Sequence, residues 1–306
     1  MMTVLSTYRR LSNIYENSKV IPYDYSSKFV IMSDCHRGSG NSGDNFLKNQ
    51  NIFFAALNDY YKKGFTYIEL GDGDELWENR CMEQIIEVHS NVFELLSKFY
   101  KSNRMYMIYG NHDMQKRNKK FLECHYNGYY CGTRKKNFPL FNCIKAYEGI
   151  ILENEYNSQQ RIFLVHGHQG DLINDRLWKV GRFLVRYIWR PLEIWGFNDP
   201  TRAAKNYKKK NKIEQKLTTW SKDNNVMLIT GHTHRPSFAN LDEAMYFNSG
   251  SCIHPAAITA IEIECGCISL VKWSIMTKED NSMYVGKEVL NGPVKLEDYF
   301  ETICFA

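Results

Sequence analysis

No stretch of the 306 residues approaches the run of about 18 apolar positions that a membrane-spanning helix requires. The opening segment, Met1 to Ser18, breaks its short apolar pieces with Arg9, Arg10 and Asn13, so it lacks the apolar region of a secretory signal. The nine cysteines are odd in number, scattered from Cys35 to Cys304 and never spaced as CxxC. That pattern argues against a cysteine-clamped zinc site, and a chain of this length has no need of disulfide staples. Together these absences predict a cytoplasmic protein with reduced thiols, in which Cys265–Gly266–Cys267 is a strand turn. No internal repeat is visible, and the one low-complexity tract is Lys208–Lys210.

What is present suits one large α/β core. Hydrophobic residues make up 43% of the chain and aromatics 14%, enough for a single domain over residues 1–306 with a helical insertion at 172–222. The net charge of +5 is uneven. Leu172 to Lys216 holds twelve Lys and Arg against four Asp and Glu, an excess of +8 that leaves about −3 for the remainder. A basic module on a mildly acidic body points to an anionic partner.

Lys28–Ser33, Thr66–Leu70 and Met105–Tyr109 are short, apolar and β-branched or aromatic, as buried strands are. Between them, Asn45–Lys62 and Met82–Tyr100 carry helical stripes, the second with His89 on its apolar face. The alternation predicts a sheet built largely from βαβ units. Tyr147–Leu152, Arg161–Val165, Val226–Thr230, Ala244–Phe247, Ile258–Glu264 and Ile268–Ile275 are further expected strands.

Five of the strands run into residues able to bind metal: Asp34-Cys35-His36, Gly71-Asp72, Gly110-Asn111-His112-Asp113, His166-Gly167-His168 and Gly231-His232-Thr233-His234. Sites in α/β sheets gather beyond the carboxyl ends of strands, so these five ends can converge on one pocket. Carboxylate, carboxamide and imidazole suit Mn, Fe, Co or Zn. Seven candidate ligands exceed what one tetrahedral ion uses and match two ions sharing a carboxylate, about 3.5–4 Å apart. Alone, Asp-x-His or Gly-Asp is an ordinary turn. All five fragments, each after a strand, form a far more specific pattern.

With these motifs the chain resembles the calcineurin-like metallophosphoesterase superfamily from Lys28 to about Pro255, including Asn248-Ser249-Gly250-Ser251. The resemblance implies an α/β fold, a four-layer αββα sandwich of two mixed sheets. It implies that Asp34, His36 and His234 hold one metal, that Asn111, His166 and His232 hold a second, and that Asp72 bridges them. Manganese is the first expectation, with Fe, Zn, Co or Ni as the others. A metal-bridging hydroxide would then attack phosphorus and His112 would act as general acid, oriented by Asp113. Gly71-Asp72-x-x-Glu75-x-Trp77, the basic insertion and Arg235–Pro236 are similar to the bacterial UDP-2,3-diacylglucosamine pyrophosphatases. The chain departs from that branch at His112, where the branch carries arginine, and at His168, where it carries aspartate. A related anionic substrate is therefore expected, a phosphorylated small molecule or a lipid-linked one.

Within the insertion, Arg176, Lys179, Arg182, Arg186 and Arg190 recur every three or four residues, beside Trp178, Phe183, Tyr187 and Trp189. One expectation is a solvated helix face. The other is a lid in which Arg176, Lys179, Arg182 and Arg186, together with His168, bind substrate. In that case residues 176–195 would touch the inner face of a membrane. A Lys-rich helix is expected over Arg202–Ser221. Nucleic acid is a weaker candidate partner, since no readout motif is present. Two alternatives use the same fold: a phosphoprotein phosphatase, and a non-catalytic scaffold, which commonly loses a ligand or the acid.

Overall fold

The computed structural model describes residues 2–41, 43–132, 134–171, 175, 178–185, 187 and 207–301. Two mixed sheets form its centre. One has the strand order β1 (Lys19–Tyr23), β8 (Gly149–Asn154), β9 (Asn157–Val165), β10 (Met227–Thr230), β11 (Tyr246–Asn248). The other runs β14 (Met283–Lys295), β13 (Cys267–Thr277), β12 (Ala257–Glu264), β2 (Phe29–Met32), β3 (Thr66–Leu70), β4 (Met105–Ile108), β7 (Ala146–Tyr147). A small hairpin, β5 (Gly128–Cys131) with β6 (Lys136–Pro139), stands apart.

The period-two alternation of the strands decides the layers. Phe29 and Ile31 of β2, Ile162 and Leu164 of β9, and Ile261 and Ile263 of β12 meet in a cluster between the sheets. Their neighbours point outward. Val30 and Met32 join a cluster with Phe53 and Leu57 of α2 (Gln50–Lys62), Ile85 of α3 (Met82–Val88) and Leu96 and Phe99 of α4 (Ser90–Lys101). On the opposite side, Phe163 and Val165 meet Leu11 and Ile14 of α1 (Met2–Glu16) and Leu217 and Trp220 of α7 (Tyr207–Asn224). The result is the four-layer αββα sandwich. The other helices are α5 (Lys119–His125), α6 (Trp178–Leu184) and α8 (Leu296–Glu301).

β2, β3 and β4 are parallel through α2 and α3–α4, as the βαβ alternation predicts. Cys265–Gly266 is the two-residue turn between β12 and β13, both residues at positive φ. Several boundaries differ from expectation. The predicted helix Met82–Tyr100 is two helices, broken where the buried His89 ring turns inward to Asp44 (2.9 Å) and Gln50 (2.5 Å). The helical stripe from Asn45 begins late, at Gln50, because the Asp44 carboxylate accepts the Phe46 and Leu47 amides in a turn. The expected strand Tyr147–Leu152 is divided at Glu148, where the chain passes from one sheet to the other. α1, β1 and β14 drew no expectation, since their apolar residues are few and interrupted. No helix among the described residues is long and apolar enough to cross a membrane.

The outer α1/α7 layer depends on Trp220, buried between Tyr15 and Phe163 with ring centroids 5.8 and 5.5 Å away. Trp220→Ala is expected to destabilise the fold by about 3–5 kcal/mol. Urea unfolding within 1 kcal/mol of wild type would show that this layer is loosely attached.

Candidate metal centre

Five side chains named from the motifs leave the backbone from a left-handed conformation: Asp34, His36, Asp72, His232 and His234, with φ between 49° and 66°. Non-glycine residues rarely adopt it, and each instance costs about 1–3 kcal/mol. Its concentration at strand ends marks a place where the fold turns the chain sharply to aim side chains. The flanking glycines make room for the approach. A Cβ on Gly110 would lie 2.1 Å from Asp72 Oδ1, and one on Gly231 would lie 2.7 Å from Asp34 Oδ2.

The carboxyl ends of both sheets meet here. Asp34 N–H donates to Gly71 O and His36 N–H to Asp72 O, so the β2 and β3 loops run side by side. Gly231 N–H donates to His166 O, joining the loops of β9 and β10. His232 N–H donates to Asp34 Oδ2 at 2.9 Å and His112 N–H to Asp72 Oδ1 at 2.8 Å. The Asn248–Ser251 segment braces these turns: Asn248 Nδ2 donates to Gly231 O (2.8 Å), and Ser251 Oγ donates to Asp34 O (3.2 Å).

The ligand atoms form two groups, Asp34/His36/His234 and Asp72/His166/His232, each with its atoms within 4.8 Å of one another. Asp72 also falls in a group with His36 and His112, which places its carboxylate between the two. His166 Nδ1 donates to Leu70 O at 2.8 Å, which leaves the lone pair on Nε2; that atom faces Asp72 Oδ2 at 3.1 Å. His36 Nδ1 donates to Glu75 Oε2 at 2.9 Å. Its Nε2 then faces His234 Nε2 at 3.4 Å and Asp34 Oδ1 at 3.7 Å. Lone pairs set against one another repel unless a cation or a proton stands between them. Donors about 2.1 Å from one ion lie about 3.0–3.4 Å apart, and the two shorter of these pairs, at 3.1 and 3.4 Å, match that spacing. Asp34 Oδ1, both amide atoms of Asn111, His166 Nε2 and His232 Nε2 are buried without a hydrogen-bond partner. Such orphaned atoms are costly unless a ligand satisfies them. The residues fit two divalent ions.

The electrostatics agree. Burial opposes ionisation of Asp34, but the His234 and His166 rings beside it carry its pKa well below the usual range. Burial likewise disfavours the His166 cation, yet Asp72 and Asp34 hold its pKa up at about 9. His168, His232 and His234 are pushed down, by burial first.

His112 stands at the rim of this centre. Its Nδ1 donates to Glu75 Oε1 at 2.9 Å, and the Trp77 indole stacks on its ring at 4.4 Å, leaving Nε2 as its free edge. The carboxylate that orients His112 is thus Glu75, not Asp113, and Glu75 holds His36 as well. Asp113 turns the other way, where it accepts Gly110 N–H (2.7 Å) and Gly73 N–H (3.0 Å) and pairs with Lys116 Nζ (2.6 Å). Lys116 also meets Glu69 and Asp74, and Arg37 pairs with the same two carboxylates, all fully buried. This network fastens the loops that carry Asp72 and Asn111. Sequence reasoning quoted Glu75 only as a motif marker and missed Lys116 and Arg37. The signal for Glu75 was its place with Trp77 in the turn after Asp72.

Of the residues expected to bind substrate, His168 is fully buried, in a group with Glu148 and Asp175. Arg10 bonds to both of those carboxylates. Arg182 lies on α6, half-buried. Arg176, Arg186 and the Lys179 side chain lie outside the described residues. Lys210 of α7 is drawn into the same electrostatic field: burial and Arg235 lower its pKa, while Asp34 opposes them.

A dinuclear centre of Asp, Asn and His ligands at the carboxyl edges of an αββα sandwich defines a class, the metal-dependent phosphoesterases. The calcineurin-like phosphoesterase family model matches residues 27–236, and the chain belongs to that family. It is therefore a phosphoesterase hydrolase. Among solved structures it is similar to Vps29 from Chaetomium thermophilum, with 11% identity, 88% of this chain and 97% of that chain covered, and a TM-score of 0.38. No curated protein sequence matches the chain.

Metal uptake should expel protons. With a pKa of about 9, the metal-free His166 is protonated at pH 7.5, and its Nε2 must lose that proton before it can ligate. Manganese titrations by calorimetry in buffers of different ionisation enthalpy should show about one proton or more released at pH 7.5. The release should fall by about one proton as the pH passes from 7.5 to about 10. Heats independent of buffer at pH 7.5 would contradict the ligand role of His166.

Proposed function

We propose that this metallophosphoesterase hydrolyses a phosphomonoester or phosphoanhydride carried on a small or lipid-linked molecule, with a UDP-sugar lipid pyrophosphate or a related anionic compound as the substrate class. Asp34, His36, Asp72, Asn111, His166, His232 and His234 would hold two divalent ions, manganese foremost. The observation that carries this reading is the set of imidazole and carboxylate lone pairs facing one another at 3.0–3.8 Å around Asp72 and Asp34. Bound ions would supply the positive charge that grips a phosphate and makes a water acidic near neutral pH.

The chain's own residues do the rest. Glu75 fixes the proton on His112 Nδ1, so Nε2 is the edge from which a proton passes to the leaving oxygen. Trp77 covers one face of that ring and restricts its rotation. The backbone amide of His112 holds Asp72 Oδ1, which leaves Oδ2 toward the ligand cluster. Retention of all seven ligands and of His112 favours catalysis over a scaffold role. The insertion would act as a lid: Val180 and Phe183 lie three residues apart on α6 and are each more than half exposed, which supports contact with an acyl chain or an anionic membrane surface on the cytoplasmic side.

A screen with manganese-loaded protein, comparing nucleotide-sugar pyrophosphates, phosphomonoesters, phosphodiesters and phosphopeptides, tests the substrate class. Exclusive turnover of phosphopeptides would replace it with protein phosphatase activity. Asp72→Asn is expected to lower turnover by about 10³-fold or more, and near-wild-type activity at equal metal occupancy would reject the bridging role. His112→Ala should slow esters with poor leaving groups by about 10²–10⁴-fold and good ones much less. Equal slowing of both would remove His112 as the acid.

A further inference from the structure

A cleft of about 450 Å³ opens between the segments that follow His36 and Glu75, and the mechanism above makes no use of it. Its two walls continue the loops that carry the chemistry. Ser39 and Asn41 follow His36, and Asn79 and Arg80 follow Glu75 and Trp77, with Gln84 closing one end. Ser39 is three residues from His36, so their Cα atoms are at most about 11 Å apart. The walls are cross-linked: Asn41 Nδ2 donates to Ser39 Oγ (2.9 Å), Ser39 Oγ donates to Asn79 Oδ1 (2.9 Å), and Asn79 Nδ2 donates to Glu75 O (2.9 Å). A hydrogen-bonded chain thus runs from the cleft to the residue that holds both His36 and His112.

The roof comes from the insertion. Arg80 Nη2 donates to the Tyr187 hydroxyl at 2.6 Å, and the guanidinium lies 5.4 Å from that ring's centroid. Tyr187 is held on its other flank by Phe183, at 5.0 Å between centroids. Tyr187, packed on Arg80, is the described residue of the insertion that borders the cleft.

The chemistry of the lining selects its occupant. Hydroxyl and carboxamide groups offer donors and acceptors together, and hydroxyl groups on a ligand are donor and acceptor in the same way. Among the described residues of the lining Arg80 and Glu78 balance in charge, so these offer no excess positive charge to draw in a second phosphate. Among the described residues of its lining Tyr187 is the one aromatic or aliphatic side chain, which gives an acyl chain little apolar surface to bury there.

Resting on the phosphoesterase reading above, we propose that this cleft is the subsite for the body of the substrate, a polyhydroxylated ring bearing the scissile phosphate. Arg80 and Tyr187 then set specificity, and the insertion's place over the core is coupled to ring binding through their hydrogen bond.

The test is calorimetric binding to the manganese-loaded full-length protein of four probes with non-hydrolysable C–P bonds: methylphosphonate, decylphosphonate, the methylenephosphonate analogue of glucose 1-phosphate, and a nucleoside 5′-phosphonate. The hexose or the nucleoside probe should bind at least about tenfold more tightly than methylphosphonate, and whichever does identifies the ring as hexose or ribose. In Tyr187→Phe, which loses only the hydroxyl, and in Arg80→Met, that advantage should shrink to about twofold or less. Equal affinity for methylphosphonate and both ring-bearing probes would overturn the subsite while leaving the metal-centre reading intact. An advantage that survives both substitutions would also overturn it, as would tighter binding of decylphosphonate than of either ring. If no phosphonate binds the metal-loaded protein, the phosphoesterase reading fails and the subsite fails with it.

Discussion

The structure is organised around an electrostatic demand. Carboxylates and imidazole lone pairs from four strand ends are held about 3–4 Å apart in a largely buried pocket. Only positive charge makes that arrangement favourable, supplied by protons on His36 and His166 or by metal ions. The left-handed turns at Asp34, His36, Asp72, His232 and His234, and the bare Cα positions of Gly110 and Gly231, are backbone accommodations to it. A fold that stores strain at one place must be firm around it. The three apolar clusters between and outside the sheets provide that firmness.

The buried Arg37–Glu69–Asp74–Lys116–Asp113 network has a similar logic. Three carboxylates and two cations away from water contribute little net stability, because desolvation offsets their attraction. What they provide is position: Asp113 grips the amides of Gly73 and Gly110 and so fixes the turns that follow Asp72 and precede Asn111. The Lys116 ammonium fills a fully buried acidic group, Glu69/Asp74/Asp113, that would otherwise compete for a cation. Arg10 serves Glu148 and Asp175 in the same way, so both of these described acidic groups already have resident cations.

The centre defines the reaction, while the substrate's identity rests on what surrounds it. Among the described residues of the insertion's first part, Tyr187 contacts Arg80. The insertion's second helix, α7, belongs to the outer layer of the sandwich and ties the Gly-His-Thr-His turn through Glu214, which bonds Thr233 and Arg235. The basic segment is thus part structural layer and part wall of a cleft. A count of its charges does not separate those roles.

Local pattern determined a good deal of this protein. The buried strands at 29–32, 66–70 and 227–230, the metal-binding residue types at their ends and the Cys265–Gly266 turn follow from side-chain period and turn chemistry, both properties of neighbouring residues. Tertiary structure decided the pairings of residues far apart in sequence. Glu75 rather than Asp113 orients His112, since Asp113 lies beneath the turn and Glu75 reaches across it from 37 residues away. His89 breaks a helix that reads as continuous, because its partners, Asp44 and Gln50, are about 40 residues upstream. Such contacts depend on how the layers stack, and periodicity along one element carries no record of what packs against it.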